Sequence, residues 1–269
     1  MKKKVLFVIL ILVLITYYYK DNLKDNITAS AVKINPQINN YQDTIKIANW
    51  NLQVFGHSKA SNLDLMNYYA NKIKNYDIVF LQEIRDSSEG AFPKLCSYLD
   101  KYNCYISTRA GRTISKEQYG ILVKKGVKIE LIEDYNPDKL DRWERPPIEV
   151  KFNLNNYNLT LFNIHIKPDD VKNELYYLDE IVKNNDYTAV IGDLNADCSY
   201  YNNKEENEFD NWNWIIQDNE DTTVSETNCA YDRIIVSDNL KSQITNYGID
   251  KSINKEHSDH YLIWFEIKT

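Results

Sequence analysis

From Thr44 onward the chain is a train of short apolar runs separated by turn residues, and nothing else in it constrains the fold so tightly. Ile45–Trp50 alternates with the two-residue period of a half-buried strand, whereas Asp77–Gln82 is almost continuously apolar, as a strand covered on both faces would be. Further strands are expected at Gly120–Val127, Ile148–Leu154, Leu159–Ile164, Tyr187–Ile191, Tyr231–Val236 and Tyr261–Ile267. The pattern predicts helices over about 60–74, 88–100 and 169–184. In the last, Leu175, Leu178, Ile181 and Val182 share one face, and Pro168 falls in the first turn, where a missing N–H costs nothing. The 21 tyrosines, against 7 glycines and 6 prolines, suit rings laid over half-buried sheet faces. Strands interrupted by a few helices, without regular βαβ alternation, argue for an α+β sandwich and against a doubly wound fold. No internal repeat or heptad is present.

Before this region the composition changes. Met1-Lys2-Lys3-Lys4 precedes an apolar run from Val5 to Thr16 and then Tyr17-Tyr18-Tyr19-Lys20. A basic segment followed by such a run reads as an export signal. The run is short for a membrane span, which needs about 20 residues; counting the tyrosines as an interfacial belt brings it towards a retained anchor. Ala29-Ser30-Ala31 has the small-x-small form of a cleavage site but lies well downstream. Residues 1–20 are therefore expected to be a signal peptide or N-terminal membrane anchor, 21–42 a polar, Asn-rich linker, and 43–269 the folded domain. Export gives meaning to the four cysteines. An even number in an oxidising compartment suggests two disulfides, with three pairings open. Cys96 is near Cys104 and Cys198 near Cys229, so local pairing is the economical choice. Asn26-Ile27-Thr28 and Asn158-Leu159-Thr160 match the glycosylation acceptor pattern of a eukaryotic secretory pathway. A net charge of −7 argues against wholesale wrapping of nucleic acid, but is compatible with an enzyme whose cations are bound metal and a few local arginines.

Polar residues stand at the ends of the apolar runs. Asn51 follows the first strand, Glu83 the second, His165 closes Leu159–Ile164, and Asp193 and Asn195 end the run that begins at Tyr187. Asp232 opens Tyr231–Val236, and Ser258-Asp259-His260 precedes the last strand. Any one of these is an ordinary turn residue or surface charge; their joint placement at strand ends points to a site for a hard cation and a phosphate. The residues resemble the deoxyribonuclease I branch of the endonuclease/exonuclease/phosphatase superfamily, over about Thr44 to Ile267. Gly192-Asp193-Leu194-Asn195-Ala196-Asp197-Cys198 and Thr227-Asn228-Cys229-Ala230-Tyr231-Asp232-Arg233 carry the resemblance. Gly-Asp-x-Asn and Ser-Asp-His are shared across the superfamily, whereas the Asn-Ala-Asp-Cys and Thr-Asn-Cys-Ala-Tyr-Asp-Arg extensions look specific to this branch.

The resemblance implies a four-layer α/β/β/α sandwich of two packed, mostly antiparallel sheets flanked by helices. It implies an endonuclease, secreted or membrane-anchored, that hydrolyses DNA with little sequence specificity and leaves 5′-phosphate ends. His165 would pair with Glu117 and His260 with Asp232, each carboxylate fixing a tautomer and raising basicity. One imidazole would activate water and the other protonate the leaving 3′-oxygen; the sequence does not assign which. Glu83, with Asn51 and Asp259, would bind Mg²⁺ or Mn²⁺, and Asp193 and Asn195 would hold a second cation or position the phosphate and nucleophile. Asp221, Thr223, Ser225 and Thr227 resemble a structural Ca²⁺ loop that a Cys198–Cys229 bridge would staple to the catalytic strand. Arg85 and Arg112 match arginines placed against the minor groove of double-stranded DNA, and Arg145 one that contacts phosphate.

There are departures. Ser115 stands where the branch has a groove-stacking tyrosine, Gln53 replaces an arginine, and Cys96 and Cys104 have no counterpart. The small disulfide loop before Arg145 is absent, which puts a second Ca²⁺ site in doubt although Asp141 remains. Two other readings use the same residues: a sphingomyelinase-like or phosphoinositide phosphodiesterase/phosphatase, and a non-enzymatic surface protein that keeps the fold. The first lacks a long exposed apolar hairpin for membrane docking, and the second does not explain an intact set of acid, base and metal positions.

Overall fold

The computed structural model describes residues 30–33, 43–182, 187–202 and 206–269. The apolar run at Val5–Thr16 and the first glycosylation motif lie outside them, as does Ala29 of the cleavage-site pattern, whose Ser30 and Ala31 fall within them. Among the described residues no helix is long and apolar enough to cross a membrane.

Two sheets stack face to face. The six-stranded sheet has the order β12-β13-β2-β3-β5-β4: β12 Ile244–Asp250, β13 Leu262–Lys268, β2 Thr44–Phe55, β3 Ile78–Ile84, β5 Gln118–Lys124 and β4 Tyr102–Ile106. The seven-stranded sheet has the order β1-β6-β7-β8-β9-β11-β10: β1 Ser30–Lys33, β6 Lys128–Asp134, β7 Ile148–Asn153, β8 Asn158–Asn163, β9 Thr188–Asp193, β11 Asp232–Val236 and β10 Asn213–Trp214. Each sheet contains one parallel pair, β2 with β3 and β8 with β9, and is otherwise antiparallel.

The period of two sorts side chains between layers. Ile45 and Ile47 of β2, Ile78 and Phe80 of β3, Leu159 and Leu161 of β8, and Ala189 and Ile191 of β9 fill the core between the sheets. The intervening Ala48, Trp50, Val79 and Leu81 meet Met66, Tyr69, Ala70 and Ile73 of helix α2 (Leu63–Ile73) on the outer face of one sheet. Phe162 and Val190 meet Leu175 and Leu178 of helix α4 (Val171–Ile181) on the outer face of the other. The four-layer α/β/β/α order follows, and the central strands read as nearly continuous apolar runs because both their faces are buried.

Element boundaries shift modestly from expectation. The helix expected over 60–74 is two, α1 (His57–Ser61) and α2, divided at Asn62, whose side chain accepts the Leu65 N–H and caps α2. The helix expected over 88–100 shortens to α3 (Ala91–Cys96), and the one over 169–184 becomes a 3₁₀ turn at Pro168–Asp170 leading into α4. Helix α5 (Asp238–Lys241) was not expected. The strand expected to run to Val127 ends at Lys124, because Gly126 at φ 110° turns the chain into β6. Strands β4, β6, β10 and β12 lacked a sequence signal strong enough to be read. Ser30–Lys33, inside the stretch read as linker, pairs antiparallel with β6. Both local disulfides form, Cys96–Cys104 and Cys198–Cys229.

Candidate active site

The C-terminal ends of the two parallel pairs open at one pole of the sandwich. Asn51 and Glu83 lie near the ends of β2 and β3, His165 follows β8, and Asp193 ends β9. Here the pairing of β2 with β3 skips between Asn51 and Phe55, and that of β3 with β5 between Leu81 and Ile84. Gln53, Val54 and Glu83 take left-handed backbone angles, at φ 48°, 55° and 57°. Bulges re-aim side chains, and such strain in non-glycine residues concentrates at functional sites. Glu83 is turned so that Oε1 accepts Asn51 Nδ2 at 3.2 Å and Oε2 accepts Val54 N at 2.8 Å. Asn195 is likewise left-handed, at φ 49°; its Nδ2 donates to the Ile166 carbonyl and its backbone N–H to Asp193 Oδ1.

Two imidazole–carboxylate dyads face each other across this pole. His165 Nδ1 lies 2.9 Å from Glu117 Oε2, and His260 Nδ1 lies 2.7 Å from Asp232 Oδ2. Both rings then present Nε2 to the same oxygen, Asp193 Oδ2, at 3.4 Å and 3.5 Å. Asn51 Nδ2 reaches that oxygen too, at 3.0 Å. Each dyad bridges the sheets. His165 comes from the end of β8 and Glu117 from the start of β5, while His260 precedes β13 and Asp232 opens β11.

Charge sets the protonation. Burial lifts the Asp193 carboxyl, but His260 and then His165 pull it down further, so it ends below its usual range. Burial pushes His260 down, yet Asp232 and Asp193 outweigh it and raise the imidazole to about 10. For His165, burial and Arg145 push down while Glu117 and Asp193 push up, and the carboxylates win. Glu117, raised by burial but lowered more by His165 and Arg145, sits at about 2. Both imidazoles thus face carboxylates that favour their charged forms.

The donors around Glu83, Asn51, Asp193 and Asp259 are all carboxylate or carboxamide groups, a set suited to a hard divalent cation. Asp259 Oδ1 is buried without any hydrogen-bond partner, and a shielded carboxylate oxygen in that state is one a cation would satisfy. The donor set and the orphaned oxygen fit such an ion. Asp197, Cys198 and Cys229 also cluster, but both cysteines are committed to their disulfide.

The other sequence candidates fall out as follows. Thr223 Oγ1 contacts Asp221 Oδ1, Ser225 Oγ and the Thr227 carbonyl within 2.8–3.0 Å, so the four residues of the calcium-like loop do converge. Cys229 ties the end of this loop to Cys198, and Asp197, to which the sequence assigned no role, accepts the Ala230 N–H at 2.7 Å. Arg85 lies beside Glu83, 3.6 Å away. Arg112 is tied to Asp141 and Glu144, so Asp141 is already paired with a cation. Arg145 is turned inward: Nε donates to the His165 carbonyl at 2.8 Å, Nη1 pairs with Glu117 Oε1 at 3.0 Å, and Nη2 is buried without a partner.

The sequence reading missed three buried carboxamides directly beneath the site, Asn49, Gln82 and Asn163, all 0% exposed. It also missed Glu174, buried on α4, whose carboxylate accepts the Glu144 and Lys167 N–H groups. A signal existed. Asn49, Gln82 and Asn163 continue the inward-facing positions of β2, β3 and β8, where the period asks for apolar residues.

The chain belongs to the Endonuclease/Exonuclease/phosphatase family, whose profile matches residues 48–260, a span that takes in both dyads. Relatives at 30% identity or more include deoxyribonucleases. Deoxyribonuclease-1 of Bos taurus is 34% identical over 258 residues, covering 82% of this chain and 91% of that protein. Deoxyribonuclease-1 of Homo sapiens is 30% identical over 262 residues, covering 84% and 93%. Among solved structures, TDP2 of D. rerio complexed with single strand DNA product superposes with a TM-score of 0.61 at 15% identity, covering 85% of this chain and 100% of that one. A family protein from Bacteroides thetaiotaomicron gives 0.60 at 17%, covering 84% and 98%. These superpositions bear on the fold alone.

Proposed function

We propose that the protein is a divalent-metal-dependent deoxyribonuclease that hydrolyses DNA phosphodiesters with little sequence specificity, mainly in double strands, and leaves 5′-phosphate ends. The observation that carries this is the pair of cross-sheet dyads converging on Asp193 Oδ2. Two imidazoles reaching one point are what a displacement at phosphorus needs. One, in its neutral form, takes a proton from the attacking water, and the other, protonated, delivers a proton to the departing 3′-oxygen. Glu117 and Asp232 hold the rings through Nδ1, which leaves both Nε2 atoms facing the reaction centre. Asp193 and Asn195 align the phosphate and water between them. Glu83, Asn51 and Asp259 would hold Mg²⁺ or Mn²⁺, which when bound supplies charge neutralisation at the phosphoryl oxygens. Asp221, Thr223, Ser225 and Thr227 would hold a structural Ca²⁺. Arg85 and Arg112 flank the pole as contacts to the minor groove and phosphates. Arg145 acts from behind, holding Glu117 and His165. The disulfides suit an extracytoplasmic setting, and residues 1–20 serve as its export signal or anchor.

Plasmid relaxation with Mg²⁺ plus Ca²⁺, with and without EDTA, tests this. Wild type should nick, EDTA should abolish nicking, and His165→Ala and His260→Ala should each slow it by about 10²–10⁴-fold. A wild type that leaves plasmid intact, or two variants that nick at full rate, would overturn the reading. Turnover of sphingomyelin instead would move the chemistry to a lipid phosphodiester.

A further inference from the structure

Directly beneath the dyads the core between the sheets stops being hydrocarbon. Asn49 on β2, Gln82 on β3 and Asn163 on β8 close a ring of side-chain amides. Asn49 Nδ2 donates to Gln82 Oε1 at 3.2 Å, Gln82 Nε2 to Asn163 Oδ1 at 3.4 Å, and Asn163 Nδ2 to Asn49 Oδ1 at 2.8 Å. Each carboxamide is donor once and acceptor once, so the ring has a single sense of rotation. Capacity is left over, and Gln82 and Asn163 spend part of it on the segments that carry the site. Gln82 Oε1 also accepts the Asp193 N–H at 2.9 Å, and Gln82 Nε2 also donates to the Ile164 carbonyl at 2.7 Å, one residue before His165. Asn163 Nδ2 also donates to the Ile191 carbonyl at 2.6 Å.

We propose that this ring is a positioning device for the reaction: Asn49 and Asn163 orient the Gln82 amide, and Gln82 sets Asp193 and His165 at a fixed height relative to each other. The inference rests on the hydrolytic reading of the same pole. A carboxamide can turn end for end without changing its shape, because its oxygen and nitrogen have nearly equal bulk. A reversed Gln82 would set its NH₂ against the Asp193 N–H and its oxygen against the Ile164 carbonyl, two repulsions in a site closed to water. Asn49 offers Gln82 only a donor and Asn163 only an acceptor, so the reversed form is excluded. Stability accounts for the outward bonds, which satisfy the buried Asp193 N–H and the Ile164 and Ile191 carbonyls, but is a poor explanation for the bonds within the ring. Replacing both partners of a buried polar pair by apolar groups of similar shape is close to neutral. What three amides provide and three hydrocarbons would not is direction.

Two variants test this. Gln82→Met keeps length and volume but removes both links to the site, and the Asn49→Ala/Asn163→Ala double variant leaves Gln82 held only by the Asp193 N–H and the Ile164 carbonyl. Both should lower kcat on supercoiled plasmid at saturating Mg²⁺ by about 10–100-fold, as displacements near 1 Å do, with KM held within about threefold. Amide hydrogen exchange in a peptide spanning residues 190–195, followed in metal-free protein, should accelerate in both. Leu240→Ala, in the core at the opposite pole, supplies a stability-matched control that should keep its kcat. A folded Gln82→Met protein with wild-type kcat, or a loss equal to that of Leu240→Ala, would overturn the proposal. Should the wild type fail to nick DNA, the hydrolytic reading falls, and unchanged exchange at residues 190–195 would refute the ring separately.

Discussion

Gly192→Ala is the substitution for which the structure sets the clearest magnitude. Gly192 lies within β9, one residue before Asp193, and a Cβ there would stand 2.1 Å from the Ile164 carbonyl oxygen and 2.9 Å from Gln82 Nε2. Real Cβ contacts do not fall below 3.0 Å, so the methyl must open the gap by about 1 Å. The obstructing atom is backbone and has no rotamer to escape into. β8 and β9 are paired up to Asn163 and Ile191, so the displacement passes directly to His165 and Asp193. Overpacking of this kind costs about 1–3 kcal/mol, and loss of the Gln82 bond to the Ile164 carbonyl adds about 1 kcal/mol. Together these predict about 2–4 kcal/mol of lost stability. The same 1 Å between His165 and Asp193 predicts a fall in kcat of about 10²-fold. Urea unfolding gives the first quantity and steady-state plasmid nicking the second. An alanine variant with a wild-type midpoint and kcat within about twofold of wild type would refute the steric reasoning.

Three further outcomes are expected. Cys198→Ala, or reduction, should lower stability by about 2–4 kcal/mol, because the bridge closes a separation of 31 residues; an unchanged melting temperature would remove the claim. The Ser88 hydroxyl, opposed by burial and helped by the Ala91, Ser88 and Gly90 N–H groups, holds Asp86 at about 2. With an unfolded value near 3.9, its stabilisation is complete above about pH 4 and is lost as the pH falls to about 2. The difference in urea midpoint between wild type and Asp86→Asn should therefore shrink over that interval, and a constant difference would contradict it. Arg233 is fully buried and donates to the Ala196 and Ile216 carbonyls and to Asp218. Arg233→Met should cost about 2–4 kcal/mol in denaturant unfolding by leaving two buried carbonyls unpaired.

What could be read in the sequence was whatever repeats with a short period or sits at the end of something periodic. Asp77–Gln82 announced a strand buried on both faces because every side chain after Asp77 is apolar or carboxamide, and β3, which starts at Ile78, is that strand. Glu117 came only with the family resemblance, whereas His165, Asp232 and His260 were legible because they stand where apolar runs stop or start. Strands β6 and β12 were not, because one face of each is open to solvent and their charged or polar residues blur the alternation. Arg145 illustrates another limit. A lone arginine beside Pro146 looks like a surface charge, and only the fold reveals Glu117 and the His165 carbonyl waiting for it. Gly192 misled in the opposite way. Gly-Asp suggests a turn, yet the glycine answers to the Ile164 carbonyl pressing from the neighbouring strand, a partner 28 residues away.

Because His165–Glu117 and His260–Asp232 each take one residue from either sheet, the proposed hydrolysis makes the spacing of the sheets itself a catalytic dimension. Side chains such as Phe80, Leu161 and Phe265 act as shims that hold two jaws at a set gap. Anything that thickens or thins this layer next to the dyads, whether a substitution at Phe80 or Leu161, pressure or a denaturant too dilute to unfold the protein, changes both dyads together. Catalytic rate then works as a caliper, registering the gap between the sheets well before the fold gives way.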